Sequence, residues 1–363
     1  MRGHKLKQVE IGGLFNVEER IAPKHPIREV KRQCDAALGA MSGHFDEIYA
    51  AHGRPSIPPE RLLKAKVLMA LYSVRSDRMF CERLNYDLLF QWFLDMNPSE
   101  GAFDASTFSQ NQARLIQHEV AELFFHEVVE LARAQKWVSN EHFTVDGTLI
   151  EAWASAKSFR PKSEPPQGPG AGNPWSEFAG QPRKNDTHAS TTDPEAKLVR
   201  KNDGDKARLC FGAHAVMENR NGLCVLLSVR NAVGEPESAV AVDGVIELRN
   251  RGFTPKSVGA DRGYHTETFI EELREEKIEP HPALMDSRHA RGVKRNRRWR
   301  ASQKARKRIE EIFGWMKTTG NFRKTRYPGV ERTHAAAQYV AAACNLIRMA
   351  KLMLTAPPAM AGA

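Results

Sequence analysis

The chain has 363 residues, 41% of them hydrophobic, with a formal net charge of +10 and a pI near 9.4. That length suffices for two domains of about 100–200 residues, each with its own core. No apolar signal segment opens the sequence, its most apolar window (His334–Leu354) is broken by Gln338, Asn345, Arg348 and Lys351, and its five cysteines lack zinc-like spacing. A membrane span and a zinc or disulfide scaffold are thereby excluded, and a reduced intracellular setting is expected.

Residues 1–55 are weakly patterned, with a short helix expected over Val30–Phe45. Pro59 suits a first helical turn, and Leu62, Leu63, Val67, Leu68 and Leu71 continue from it with helical period. Further helices are predicted near 76–84, 87–96, 106–116 and 119–136, the one at 106–116 with capping chemistry from Thr107 or Ser106 after Asp104. This all-α unit, counted as residues 1–137, is a candidate for DNA binding through a helix-turn-helix arrangement or for dimerisation.

The pattern changes at His142. His142–Glu151 alternates and is β-branched, so it reads as a strand, yet Asp146 sits in its middle, where aspartate is disfavoured. Residues 156–206 carry seven prolines and little apolar period, and Lys157–Asp193 reads as a flexible insertion. Arg208–Glu218 and Leu223–Arg230 flank an Asn221-Gly222 hairpin signal, with His214 expected as a half-buried strand residue. A helix (Ser238–Asn250), a strand ending on Asp261, a helix (Thr266–Lys277) and a strand (Ile278–Ala283) follow. Residues 138–355 thus form a mixed α/β domain, and 356–363 a disordered tail.

The positive charge is concentrated. Arg288 to Arg308 holds eleven Lys/Arg and no Asp or Glu, which points to a polyanion partner. Arg295, Arg297 and Arg298 are candidate phosphate contacts, and Trp299 either stacks on an unpaired base or covers core. The segment runs into a helix whose Ile309, Ile312, Phe313 and Met316 form one apolar face, while Arg306, Glu310 and Lys317 form a second stripe. Three carboxylates from separate elements beside a basic block suit divalent cations and phosphoryl transfer.

These motifs resemble the IS4/IS5-type DDE transposases of bacterial insertion sequences. The N-terminal region, running from Arg54 through Leu71-Tyr72 and Arg83-Leu84-Asn85-Tyr86-Asp87 to Asp104–Ser109, is similar to that family's helical region. Val145-Asp146-Gly147-Thr148 resembles the first-Asp strand and Gly259–Tyr264 the second-Asp motif. The family's Tyr-x2-Arg-x3-Glu-x6-Lys signature fits at Arg306, Glu310 and Lys317, but Gln303 stands where tyrosine is expected. The resemblance implies an RNase H-like fold, a catalytic and metal-binding triad of Asp146, Asp261 and Glu310, and two Mg²⁺ ions with Mn²⁺ as a substitute. It also implies Arg306 and Lys317 near phosphate, double-stranded DNA as partner, a homodimer in the synaptic complex, and a bacterial cytoplasmic, nucleoid-bound location. Glu311 is the rival of Glu310 but misses both the stripe and the signature spacing. An inactive transposase-derived DNA-binding protein and an RNase H-like nuclease that does not join DNA are the alternative readings.

Overall fold

The computed structural model describes residues 17–49, 52, 55–163, 184–201, 204–284 and 292–355. Arg54, Arg288 and Arg291, residues 164–183 of the Pro/Gly-rich stretch and the tail 356–363 lie outside them.

Eight helices open the described chain: α1 (Val17–Arg20), α2 (Pro26–Ala40), α3 (Ser42–Ile48), α4 (Pro59–Leu71), α5 (Asp77–Leu84), α6 (Leu88–Phe93), α7 (Ala105–Gln117) and α8 (Val120–Ala134). The expected helix at Val30–Phe45 is two helices, breaking at Met41; the first begins earlier, at Pro26, with the His25 ring accepting from the Ile27 N–H. Ser76, Asp87 and Asp104 cap α5, α6 and α7 by accepting from the N–H three residues on, which relieves a donor each helix start leaves free. Phe80 stacks on both Phe90 and Phe108 at the centre of the unit.

Two buried lysines pin these helices. Lys64 is fully buried and lies against Asp35 and Asp95. Lys66 bonds Asp77 at 2.8 Å and Tyr327 at 3.3 Å.

The second half is β1 (His142–Glu151), β2 (Phe159–Pro161), β3 (His188–Ser190), β4 (Lys197–Val199), β5 (Arg208–Glu218), β6 (Leu223–Asn231), α9 (Glu237–Asn250), β7 (Ser257–Ala260), α10 (Glu267–Glu275), β8 (Glu279–Pro282), α11 (Arg297–Arg306), α12 (Ile309–Lys317) and α13 (Val330–Thr355). The main sheet has six strands: β6-β5-β1-β7-β8 in order, with β5 antiparallel to both β1 and β6 and β7 and β8 parallel to β1, and the short β4 antiparallel to the start of β5. That is the RNase H-like order implied by the resemblance. α9 packs on β5 and β6, and α13 packs on β6 as well as on α2, α4 and α8, so one helix closes both halves.

Two departures matter. The flanks of the Lys157–Asp193 stretch are part of the fold. β2 pairs with β3, and Phe159, Ser190 and Asp193 are buried. Asp193 and Glu195 then accept from the Gly329 and Val330 N–H groups at the start of α13, where negative charge meets the positive helix end. The stripe through Arg306, Glu310 and Lys317 does not lie on one helix, because the chain turns at Lys307 and Arg308 and separates α11 from α12. Arg308 is fixed at that turn by donating to the Asn219 and Arg220 carbonyls.

Candidate active site

The site starts from register. β1 and β7 run parallel and pair as far as Thr144 with Gly259. Continued in register, that pairing sets Asp146, midway along β1, beside Asp261, the residue just past the C-terminal end of β7, where open α/β sheets place their sites. β7 ends at Ala260, so Asp261 is free to turn, and its carboxylate accepts from the Arg262 N–H at 2.6 Å. The Gly147 N–H donates to Asp146 Oδ1 at 2.9 Å.

The electrostatics follow from this crowding. Burial pushes the Asp146 carboxyl up to about 6; the Gly147 N–H and the Arg306 charge oppose the rise, and the charges of Asp261 and Glu237 add to it. Glu237, in the first turn of α9, is raised first by burial and then by Asp261. Burial also raises Tyr264, helped by Glu237, Asp146 and Asp261. Burial lowers His214 to about 4.

Arg306 is held for its task. α11 sits close over β7: the Ser302 Oγ is 2.7 Å from where a Cβ on Gly259 would lie, so only glycine fits there. Along α11, the Trp299 indole donates to the Pro282 carbonyl, Gln303 donates to the His281 carbonyl, and Arg306 Nε donates to Gln303 Oε1 at 3.2 Å. The Arg306 guanidinium thus reaches Asp261 Oδ1 at 3.4 Å. Gln303, standing where the signature has tyrosine, is the clamp on Arg306. Lys317, at the far end of α12, donates to the Thr148 hydroxyl, and burial lowers its pKa.

The other sequence-derived residues are placed as follows. Glu310 is exposed in the first turn of α12. Among the described residues no three His, Cys, Asp or Glu side chains close around a single ion position. Arg295, Arg297 and Arg298 are exposed, Arg298 with Glu279 at 3.8 Å. Trp299 is half-buried: its N–H donates to the Pro282 carbonyl, its ring packs against the core, and Arg295 lies over the ring at 5.9 Å. Glu237 was missed because an acid in a first helical turn is ordinary helix chemistry.

Comparison with known families decides the class. A transposase domain model (DUF772) matches residues 15–114, and a transposase DDE domain model matches residues 183–346. The chain belongs to the DDE transposases. This transposase therefore cleaves DNA and transfers strands. No curated protein matches it. Among solved structures, it is similar to the piggyBac transposase synaptic complex with hairpin DNA: 8% identity over 91% of this chain and 76% of that one, TM-score 0.41. It is also similar to the Mos1 transposase paired-end complex with left transposon end: 12% identity over 78% and 86%, TM-score 0.22. The strand order of the transposase itself shows its fold. No helix among the described residues is long and apolar enough to cross a membrane.

Proposed function

We propose that this transposase is of the IS4/IS5 type and acts on the terminal inverted repeats of its own insertion sequence, with Asp146, Asp261 and Glu310 as its acidic set. The observation that carries the reading is the Asp146–Asp261 pair on neighbouring strands, with Arg306 on Asp261. Hard carboxylate oxygens, one of them raised to about 6 chiefly by burial and further by its acidic neighbours, are a donor set suited to Mg²⁺, with Mn²⁺ as a substitute. When bound, the ions activate the attacking oxygen and stabilise the leaving one in an in-line displacement at phosphorus. Glu310 supplies the third carboxylate, as the signature implies.

The chain's own residues do the rest. Arg306, clamped by Gln303, offsets charge on the scissile phosphate, and Lys317 is steered by Thr148 toward the same strand. Arg295, Arg297 and Arg298 project from the exposed start of α11 and its approach to hold the DNA backbone. Residues 1–137 serve end recognition or dimerisation, and 138–355 the chemistry. Two ends cut in concert require two copies of this site, hence a homodimer on paired ends, in the bacterial cytoplasm where the DNA lies.

The test is strand transfer. Purified protein with Mg²⁺, a duplex carrying the inverted repeat that flanks its reading frame, and a target plasmid should give joined product. Cleavage without joining supports the nuclease reading, and binding without cleavage an inactive DNA-binding protein.

A further inference from the structure

The carboxylate that acts on Asp146 together with Asp261 is Glu237, which belongs to no part of the transposase signature. Its backbone starts α9, which packs against β5, and its side chain turns in over β1. A Cβ placed on Gly147 would lie 3.3 Å from Glu237 Oε1 and 3.2 Å from His214 Nδ1. The bare backbone next to Asp146 is thus a cradle that glycine alone leaves open to the Glu237 carboxylate.

A second observation is independent of charge. Tyr264, three residues after Asp261, is 2% exposed, and its hydroxyl has no hydrogen-bond partner. It lines a small cavity together with Asp146 and His214, and His214 Nδ1 is also buried without a partner. Buried polar atoms are nearly always satisfied, so these two orphaned groups around one small cavity beside Asp146 call for a polar occupant. One ordered water there would supply the missing partners.

We infer that Glu237 is a further metal-binding carboxylate of this transposase, meeting the ion beside Asp146 and Asp261 through its water shell. The inference rests on the reading of those two aspartates as the metal site. Gly147 leaves room for Glu237, and Tyr264 with His214 holds a water beside Asp146.

Mn²⁺ binding to the full chain, followed by the electron paramagnetic resonance signal of the free ion, tests this without relying on activity. Glu237→Gln, which keeps size and helix start, should weaken Mn²⁺ binding roughly 10- to 100-fold. Gly147→Ala, which closes the cradle, should weaken it in the same direction, with far-UV circular dichroism unchanged in both. Asp146→Asn and Asp261→Asn serve as references. If they lose Mn²⁺ while Glu237→Gln binds like wild type, the role of Glu237 is overturned and the aspartate site stands. If the aspartate variants also bind like wild type, the site reading fails and takes this inference with it.

Discussion

Asp146 and Asp261 are ordinary residues made unusual by where β7 stops. Its pairing with β1 ends two residues before them, so Asp261 turns out of the sheet beside Asp146, which stays paired with β5, and each carboxylate faces the other's charge. An aspartate inside a β-branched run was legible in the sequence because it broke local preference. Its partner Glu237 was not, since only tertiary packing of α9 against the sheet brings it over Gly147. Gln303 was legible as a departure from the signature, but its role was not: the amide ties the His281 carbonyl to Arg306 and so aims the guanidinium at Asp261. Gln303→Ala should therefore slow cleavage roughly 10- to 100-fold, the scale set by small misplacements of a charge at a reacting centre. Duplex binding should stay within about twofold of wild type. A variant that cleaves at the wild-type rate would show that Arg306 needs no clamp.

At the scale of elements, the hairpin β5–β6 and the order of strands and helices could be read from alternation and from Asn221-Gly222, because both signals are local. The turn between α11 and α12 was hidden. The residues there are good helix formers and keep helical dihedrals, and Arg308 at the turn donates to the carbonyls of the β5–β6 turn, a contact no local pattern announces. The short pairing of β2 with β3 was hidden too, since three-residue strands carry no period. The basic segment divides by element as well. Arg306 and Arg308 are committed to protein partners, whereas Arg295, Arg297 and Arg298 are exposed. Each cation that neutralises a duplex phosphate contributes roughly 0.9 to the slope of log affinity against log salt. Changing these three to Ala should weaken binding to any duplex sequence and flatten the slope by up to about 3. An unchanged slope would move the DNA contact to the helical unit.

The whole molecule is joined by more than the chain. α13 lies against β6 on one side and against α2, α4 and α8 on the other. Lys66 of α4 crosses between the halves, bonding Asp77 in the helical unit and Tyr327 beyond α12. A sequence reading places lysines outside, so neither Lys66 nor the fully buried Lys64 announced itself. Removing one partner of such a pair leaves a buried charge uncompensated, which costs roughly 3–5 kcal/mol. Asp77 keeps hydrogen bonds from Ser109 and Gln112, so Lys66→Met should lose about 3 kcal/mol in denaturant unfolding. Lys66→Met combined with Asp77→Leu should recover much of that. A double variant no more stable than Lys66→Met would show that the lysine acts by shape and not by charge.

The proposed role of Asp146 and Asp261, binding the ion that supports DNA cleavage, is tested most directly by a change of metal preference. Asp261→Cys replaces a hard oxygen ligand with a softer sulfur, which tolerates Mn²⁺ better than Mg²⁺. End cleavage by this variant should be lost in Mg²⁺ and substantially restored in Mn²⁺, while the wild type works in both. Cleavage by Asp261→Cys in Mg²⁺ at near the wild-type rate would contradict the account.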